Sequence, residues 1–145
     1  MPGPTVHYRL TARWAREEGL DEPEAQRAAV ADTEVDRLWP GSEKWSRHFN
    51  PTATLFWAPY YLVRAARDVS PVLLGYALHC RQDGIGHGGV GLAHLRFRFG
   101  MLERDPDVWE TMPARKRAAI ERDTRRMVRW YVAEVARKAA GAGPA

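Results

Sequence analysis

LGYALHCRQDGIGHGGVGLAH, residues 74–94, decides how the chain is read. His79, Asp83 and His87 stand four residues apart and His94 follows seven later. On a helix turning about 100° per residue, all four fall within a wedge of roughly 80°. A lone core histidine finds its partners locally. Three imidazoles and a carboxylate on one face need several separate partners or one shared cation. The stripe therefore reads as a metal-ligand or catalytic face, against a set of structural polar residues as the competing reading.

The supporting helix starts at Ser70-Pro71, a capping serine followed by a proline suited to the first helical position. Val72, Leu73, Tyr76 and Ala77 make the approach to His79 apolar, so the stripe begins in the core. Glycines at 84, 86, 88, 89 and 91 disfavour helix beyond Gly84 and predict a bend or close backbone packing. They follow a helix and lack a terminal lysine–serine pair, so they match neither a dinucleotide fingerprint nor a phosphate loop. Residues 92–99, LAHLRFRF, alternate as a strand would, but no partner strand is evident, leaving helix or extended packing around His94.

Four further helical stretches surround this one. Thr5 can cap a helix to about Glu18, with Tyr8, Ala12 and Ala15 on one side and His7, Leu10 and Trp14 on another. His7 is then either exposed or turned toward the central stripe. Asp21 and Pro23 start a second helix to about Leu38, whose inward positions are Ala28, Val35 and Leu38. Asp32 and Asp36 lie four apart on it, and Asp36, nearer the following loop, is the better site candidate. That loop carries His48. Residues 51–68, PTATLFWAPYYLVRAARD, form an apolar helical stretch that Pro59 kinks or divides, with Val63, Leu55, Phe56 and Leu62 as expected core. A short helix from Asp105-Pro106, containing Val108, Trp109 and Met112, precedes the longest one, Ala114 to Ala139, with Ile120, Met127, Tyr131 and Val135 at helical spacing. The expected organisation is one all-α domain over residues 5–139, with flexible ends at 1–4 and 140–145.

Composition narrows the class further. The length of 145 residues suits one domain, and the single cysteine, Cys80, excludes an internal disulfide framework and points to a reducing, cytoplasmic setting. No apolar run is long enough to span a bilayer, and the first residues lack the features of a secretion signal. The formal charge of +4 favours anionic partners only weakly, because the 22 basic residues, nineteen of them arginine, are spread along the chain. Nucleic acid is not the expected partner, and no protein partner is indicated. Six tryptophans supply core anchors, with Trp45 and Trp57 as candidate pocket walls.

Collected, the polar candidates are His7, Asp36, His48, His79, Asp83, His87 and His94, a nitrogen and oxygen set suited to zinc. Their order, and LLGYALHCRQDGIGH above all, resembles the zinc-dependent phospholipase C and single-strand nuclease superfamily of all-helical enzymes. The resemblance covers about residues 5 to 94. It implies a compact single-domain helical bundle, a reduced version of that family's fold. It also implies that His79 binds one zinc and Asp83 bridges it to a second. His7 then serves the second ion, Asp36 and His48 accompany His79, and His87 with His94 form a third position. The chain departs from the family pattern in having no tryptophan before His7 and in placing His87 closer to the aspartate. Arg98 also stands where a glutamate is expected, four after His94, with Glu103 or Glu110 as substitutes. Two zinc ions are the core expectation, and a third depends on His87 and His94.

The implied activity is hydrolysis of a phosphoester in a small anionic substrate by metal-activated water, with Asp83 and Asp36 catalytic and Trp45, Trp57 and Arg98 at the substrate. Arg81, two positions from both His79 and Asp83, is expected to point away from the stripe. The alternatives are a metal-dependent cyclase, lyase or hydrolase acting on a natural-product intermediate, and a non-catalytic interaction protein stabilised by its metal.

Overall fold

The computed structural model describes residues 5–38, 47, 52–87 and 108–141, apart from the side chain of Asp36. Among these residues run five α-helices and no strand: α1 (Thr11–Glu17), α2 (Glu22–Leu38), α3 (Ala58–Asp68), α4 (Pro71–Gly86) and α5 (Ala114–Ala139). π-helical turns at Thr5–Leu10 and Ala53–Trp57 lead into α1 and α3, and a 3-10 turn at Trp109–Thr111 precedes α5.

The helix ends follow local chemistry. Gly19 takes φ 107°, a conformation open to glycine, and ends α1. Asp21 caps α2 by accepting the Glu24 amide at 2.8 Å. Ser70 caps α4 through the Leu73 amide at 3.3 Å, with Pro71 at the start of the helix. Between α3 and α4, Val69 adopts a left-handed conformation at φ 49°, while the Ser70 amide reaches back to the Ala65 carbonyl at 2.9 Å. This tight link folds α4 back along α3.

α4 lies at the centre, packed against α2, α3 and α5. Its Leu74, Ala77 and Leu78 are buried against small residues on its neighbours, including Ala25 and Ala28 of α2 and Ala65 of α3. Gly75 sets the spacing to α2, since a Cβ there would lie 2.3 Å from the Ala28 carbonyl oxygen. Gly84 does the same further along, where a Cβ would lie 1.8 Å from Thr54 Oγ1. The close neighbour at Gly84 is a side chain, Thr54 of the π turn before α3; close backbone approach occurs instead at Gly75. The disfavoured helix beyond Gly84 nevertheless forms and runs to Gly86.

Three other expectations are corrected. Leu38 is exposed at the end of α2 rather than turned inward. Leu55, Phe56 and Val63 are also exposed, because the π turn and α3 bury the opposite face through Ala58, Tyr61, Ala65 and Ala66. Pro59 does not split the stretch into two separate helices: Trp57 and Ala58 both keep right-handed helical angles, and Pro59 sits in the first turn of α3 directly after the π turn. No helix among the described residues is long and apolar enough to cross a membrane.

Candidate metal centre

Three elements bring their polar side chains to one buried point. The π turn carries His7, α2 carries Asp32, and α4 carries His79 and Asp83 with His87 at its end. In the π turn Thr11 Oγ1 lies 3.0 Å from the Val6 carbonyl, five residues back.

The rings of His7 and His79 stack at 4.5 Å between two carboxylates. On one side His7 Nδ1 lies 2.7 Å from Asp32 Oδ1, and since a carboxylate only accepts, the imidazole donates. His79 Nδ1 donates to the backbone carbonyl of Asp32 at 2.6 Å and lies 3.3 Å from its Oδ1. The close approach allowed by Gly75 brings this helical carbonyl within reach. On the other side His79 Nε2 faces Asp83 Oδ2 at 3.2 Å, His7 Nε2 faces Asp83 Oδ1 at 3.3 Å, and His87 Nε2 stands 3.7 Å from that same oxygen. Asp32, His79 and Asp83 are wholly buried, and His7 and His87 nearly so.

Burial sets the electrostatics. For His7 it is the largest influence and opposes the charged ring. The charge of Asp32 and hydrogen bonds to Asp32 and Asp83 together outweigh it and raise the pKa to about 9. Burial likewise opposes charge on His79, but Asp83 and Asp32 lift it well above the ordinary histidine value. Neighbouring Cys80 is pushed far up by burial, which keeps it a thiol and out of the donor set.

His7, Asp32 and His79 each offer a ligand atom within 4.8 Å of the others, so this buried cluster can hold a metal ion. The donors are nitrogen and oxygen without thiolate, and the buried His7 Nε2, 3.3 Å from Asp83 Oδ1, is a position a cation can take in place of a proton.

The structure thus brings His7, His79, Asp83 and His87 together, as the spacing on α4 suggests for the last three. It adds Asp32, which the sequence reading ranked below Asp36. The signal was present: Asp32 lies four residues after Ala28 and three before Val35, on the face already assigned to the core. Asp36 is one turn further along α2, and its side chain lies outside the described residues, as do His48, His94, Trp45, Arg98 and Glu103. Glu110 is exposed. Trp57 is half-buried, stacked on Tyr61 at 5.7 Å with the Arg47 guanidinium 4.4 Å above its ring. Arg81 turns to Asp123 of α5, donating from both Nε and Nη2. Thr11 and Gln82, missed from sequence, lie wholly buried beside the cluster.

Compared with protein-family models, with curated proteins and with solved structures, the chain finds no match. What fold and site define is an all-α helical bundle with a buried His–His–Asp cluster able to bind a metal ion.

Proposed function

We propose that the chain is a metal-dependent hydrolase that cleaves a phosphoester, with zinc as its ion. One observation carries this: three imidazole Nε2 atoms lie within 3.7 Å of the single carboxylate of Asp83. A neutral nitrogen turned to a carboxylate opposes lone pair to lone pair, so such a group needs protons or cations at those nitrogens. The order of His7, His79, Asp83 and His87 in the chain supports the resemblance to the zinc-dependent phospholipase C and nuclease superfamily.

In this reading His7, Asp32 and His79 hold the first ion. Asp83, whose Oδ2 faces His79 while its Oδ1 faces His7 and His87, would with His87 help to hold a second. Divalent ions there would polarise a phosphoester and activate water near neutral pH. Asp32 also accepts from the Nδ1 atoms of both rings, at its carboxylate and its backbone carbonyl. Asp36 and His48 are assigned to the ions, His94 with His87 to a third position, and Trp45, Trp57 and Arg98 to the substrate.

Elemental analysis of tag-free protein, followed by assay of the zinc-loaded chain on phosphomonoesters and phosphodiesters, tests the assignment. Two zinc equivalents and hydrolysis are expected, and Asp83→Ala should lower occupancy at more than one position. Zinc-loaded protein inert across the panel would overturn hydrolysis.

The complete burial of Asp32, His79 and Asp83 favours a second reading, a metal-stabilised module without catalysis. Chelation separates the two. An enzyme loses activity and stays folded, whereas such a module unfolds.

A further inference from the structure

We infer that Thr11 and Gln82 are positioning residues that fix the Asp32 carboxylate at the metal centre, an inference resting on the metal-dependent reading above. Three side chains form a directed relay across three helices. Gln82 of α4 donates from Nε2 to Thr11 Oγ1 of α1 at 2.9 Å, and Thr11 Oγ1 lies 2.8 Å from Asp32 Oδ2 of α2. Gln82 is itself tied to Thr124 Oγ1 of α5 at 3.2 Å.

Hydrogen counting gives the relay its direction. A threonine hydroxyl has one hydrogen and two lone pairs. The Gln82 amide occupies a lone pair, so the hydrogen is available either to Asp32 Oδ2 at 2.8 Å or to the Val6 carbonyl at 3.0 Å. The carboxylate oxygen is the nearer of the two and takes the hydrogen. Asp32 is thereby held at Oδ2 by Thr11, which turns Oδ1 to His7 Nδ1 at 2.7 Å and His79 Nδ1 at 3.3 Å. Asp32, Thr11 and Gln82 are all wholly buried. Metal ligands depend on such partners, and removing one costs roughly 10–100-fold in affinity.

Thr11→Val keeps the shape and removes the hydroxyl, and Thr11→Ser restores it. Zinc affinity of the full chain, measured by competition with a chromophoric chelator, should fall roughly 10–100-fold in Thr11→Val and return near the starting value in Thr11→Ser. Gln82→Met should weaken zinc in the same direction, by less, and covers the case in which Thr11→Val does not fold. A second readout needs no metal: in zinc-free protein the ¹⁵N resonance of His7 Nδ1 should move in Thr11→Val or Gln82→Met and recover in Thr11→Ser. Failure of the starting protein to bind zinc would refute the metal-dependent reading, and the nitrogen spectra would still decide the relay. Unchanged zinc affinity and His7 resonance in the folded variants, or a Thr11→Ser protein as altered as Thr11→Val, would overturn the inference.

Discussion

Two charge networks in this chain use similar contacts in opposite surroundings. On the surface, Arg125 of α5 donates to Glu17 at 2.5 Å, Glu18 at 2.9 Å and Glu121 at 3.0 Å, while Arg129 joins Glu18 at 2.8 Å. Water and salt share the work of solvating these groups, so any one ion pair can open at little cost. In the interior, His7, Asp32, His79 and Asp83 have almost no solvent contact and must balance their charges among themselves. Two protonated imidazoles neutralise two carboxylates, and so does one divalent cation between neutral imidazoles. Distance alone therefore says little about what an ion pair contributes. The inner network accepts only a few charge states, and exchanging protons for metal is one way to move between them.

The largest effect is expected from removing a carboxylate of the inner network. Asp32→Ala deprives His7 Nδ1 of its acceptor at 2.7 Å and Thr11 of its acceptor at 2.8 Å, in a site without water access. Breaking a buried charged pair from one side typically costs about 3–5 kcal/mol. Urea unfolding of the metal-free protein should show a loss of that order. A loss under about 1 kcal/mol, the range of exposed pairs, would mean that the inner network is as well solvated as the outer.

A change of pH acts on the inner network alone. The pKa of His7 in the folded protein, about 9, lies above its ordinary value of 6.5, so the folded chain holds this proton more tightly than the unfolded chain does. Its contribution is fully present below pH 6.5 and is lost as the pH rises through 9. The shift corresponds to something on the order of 3 kcal/mol, and His79 adds in the same direction. The melting temperature of metal-free protein should fall between these pH values. Added zinc should restore it most at the alkaline end, where ligand nitrogens have already lost their protons. A flat profile over that window, with and without zinc, would remove the proton–metal exchange from the account.

Much of this architecture is legible in the sequence because helix ends carry local signals. Ser70-Pro71, Asp21 and Gly19 mark boundaries through backbone hydrogen bonds that depend on only a few neighbouring residues. The four-residue spacing of His79, Asp83 and His87 is local in the same sense. What is not legible depends on partners. Residues 51–68 offer apolar side chains all round, and periodicity alone does not say that Ala65 and Tyr61, rather than Val63 and Phe56, meet α4. Small residues win that face because α3 lies close to α4, and closeness belongs to the pair of helices. Asp32 was passed over for a related reason. An aspartate in an alanine-rich helix ordinarily faces water, and only His7 and His79 arriving from elsewhere make its burial favourable. Thr11 and Gln82 give no signal by themselves, since their role lies in the hydrogen bonds they make across helices.

The smallest expected effect belongs to the outer network, and it decides whether the contrast is one of burial or merely of the number of contacts. Arg125 has three carboxylate partners, as many polar contacts as most members of the inner cluster; burial is the largest single influence on its pKa and opposes the charge, but hydrogen bonds to Glu18, Glu17 and Glu121 together outweigh it and raise the pKa. If contact number governed stability, Arg125→Met would cost as much as Asp32→Ala. If solvent access governs, the methionine keeps much of the aliphatic packing, Glu17 and Glu121 return to water, and the loss stays within about 1 kcal/mol. Glu18, only 11% exposed, still retains Arg129. Raising the ionic strength to about 1 M shortens the screening length to about 3 Å. It should therefore erase most of the difference between Arg125→Met and the parent chain, while leaving the cost of Asp32→Ala in place. Equal salt sensitivity of the two variants would show that solvent ions reach the His7–Asp32 contact as readily as they reach the surface of α5.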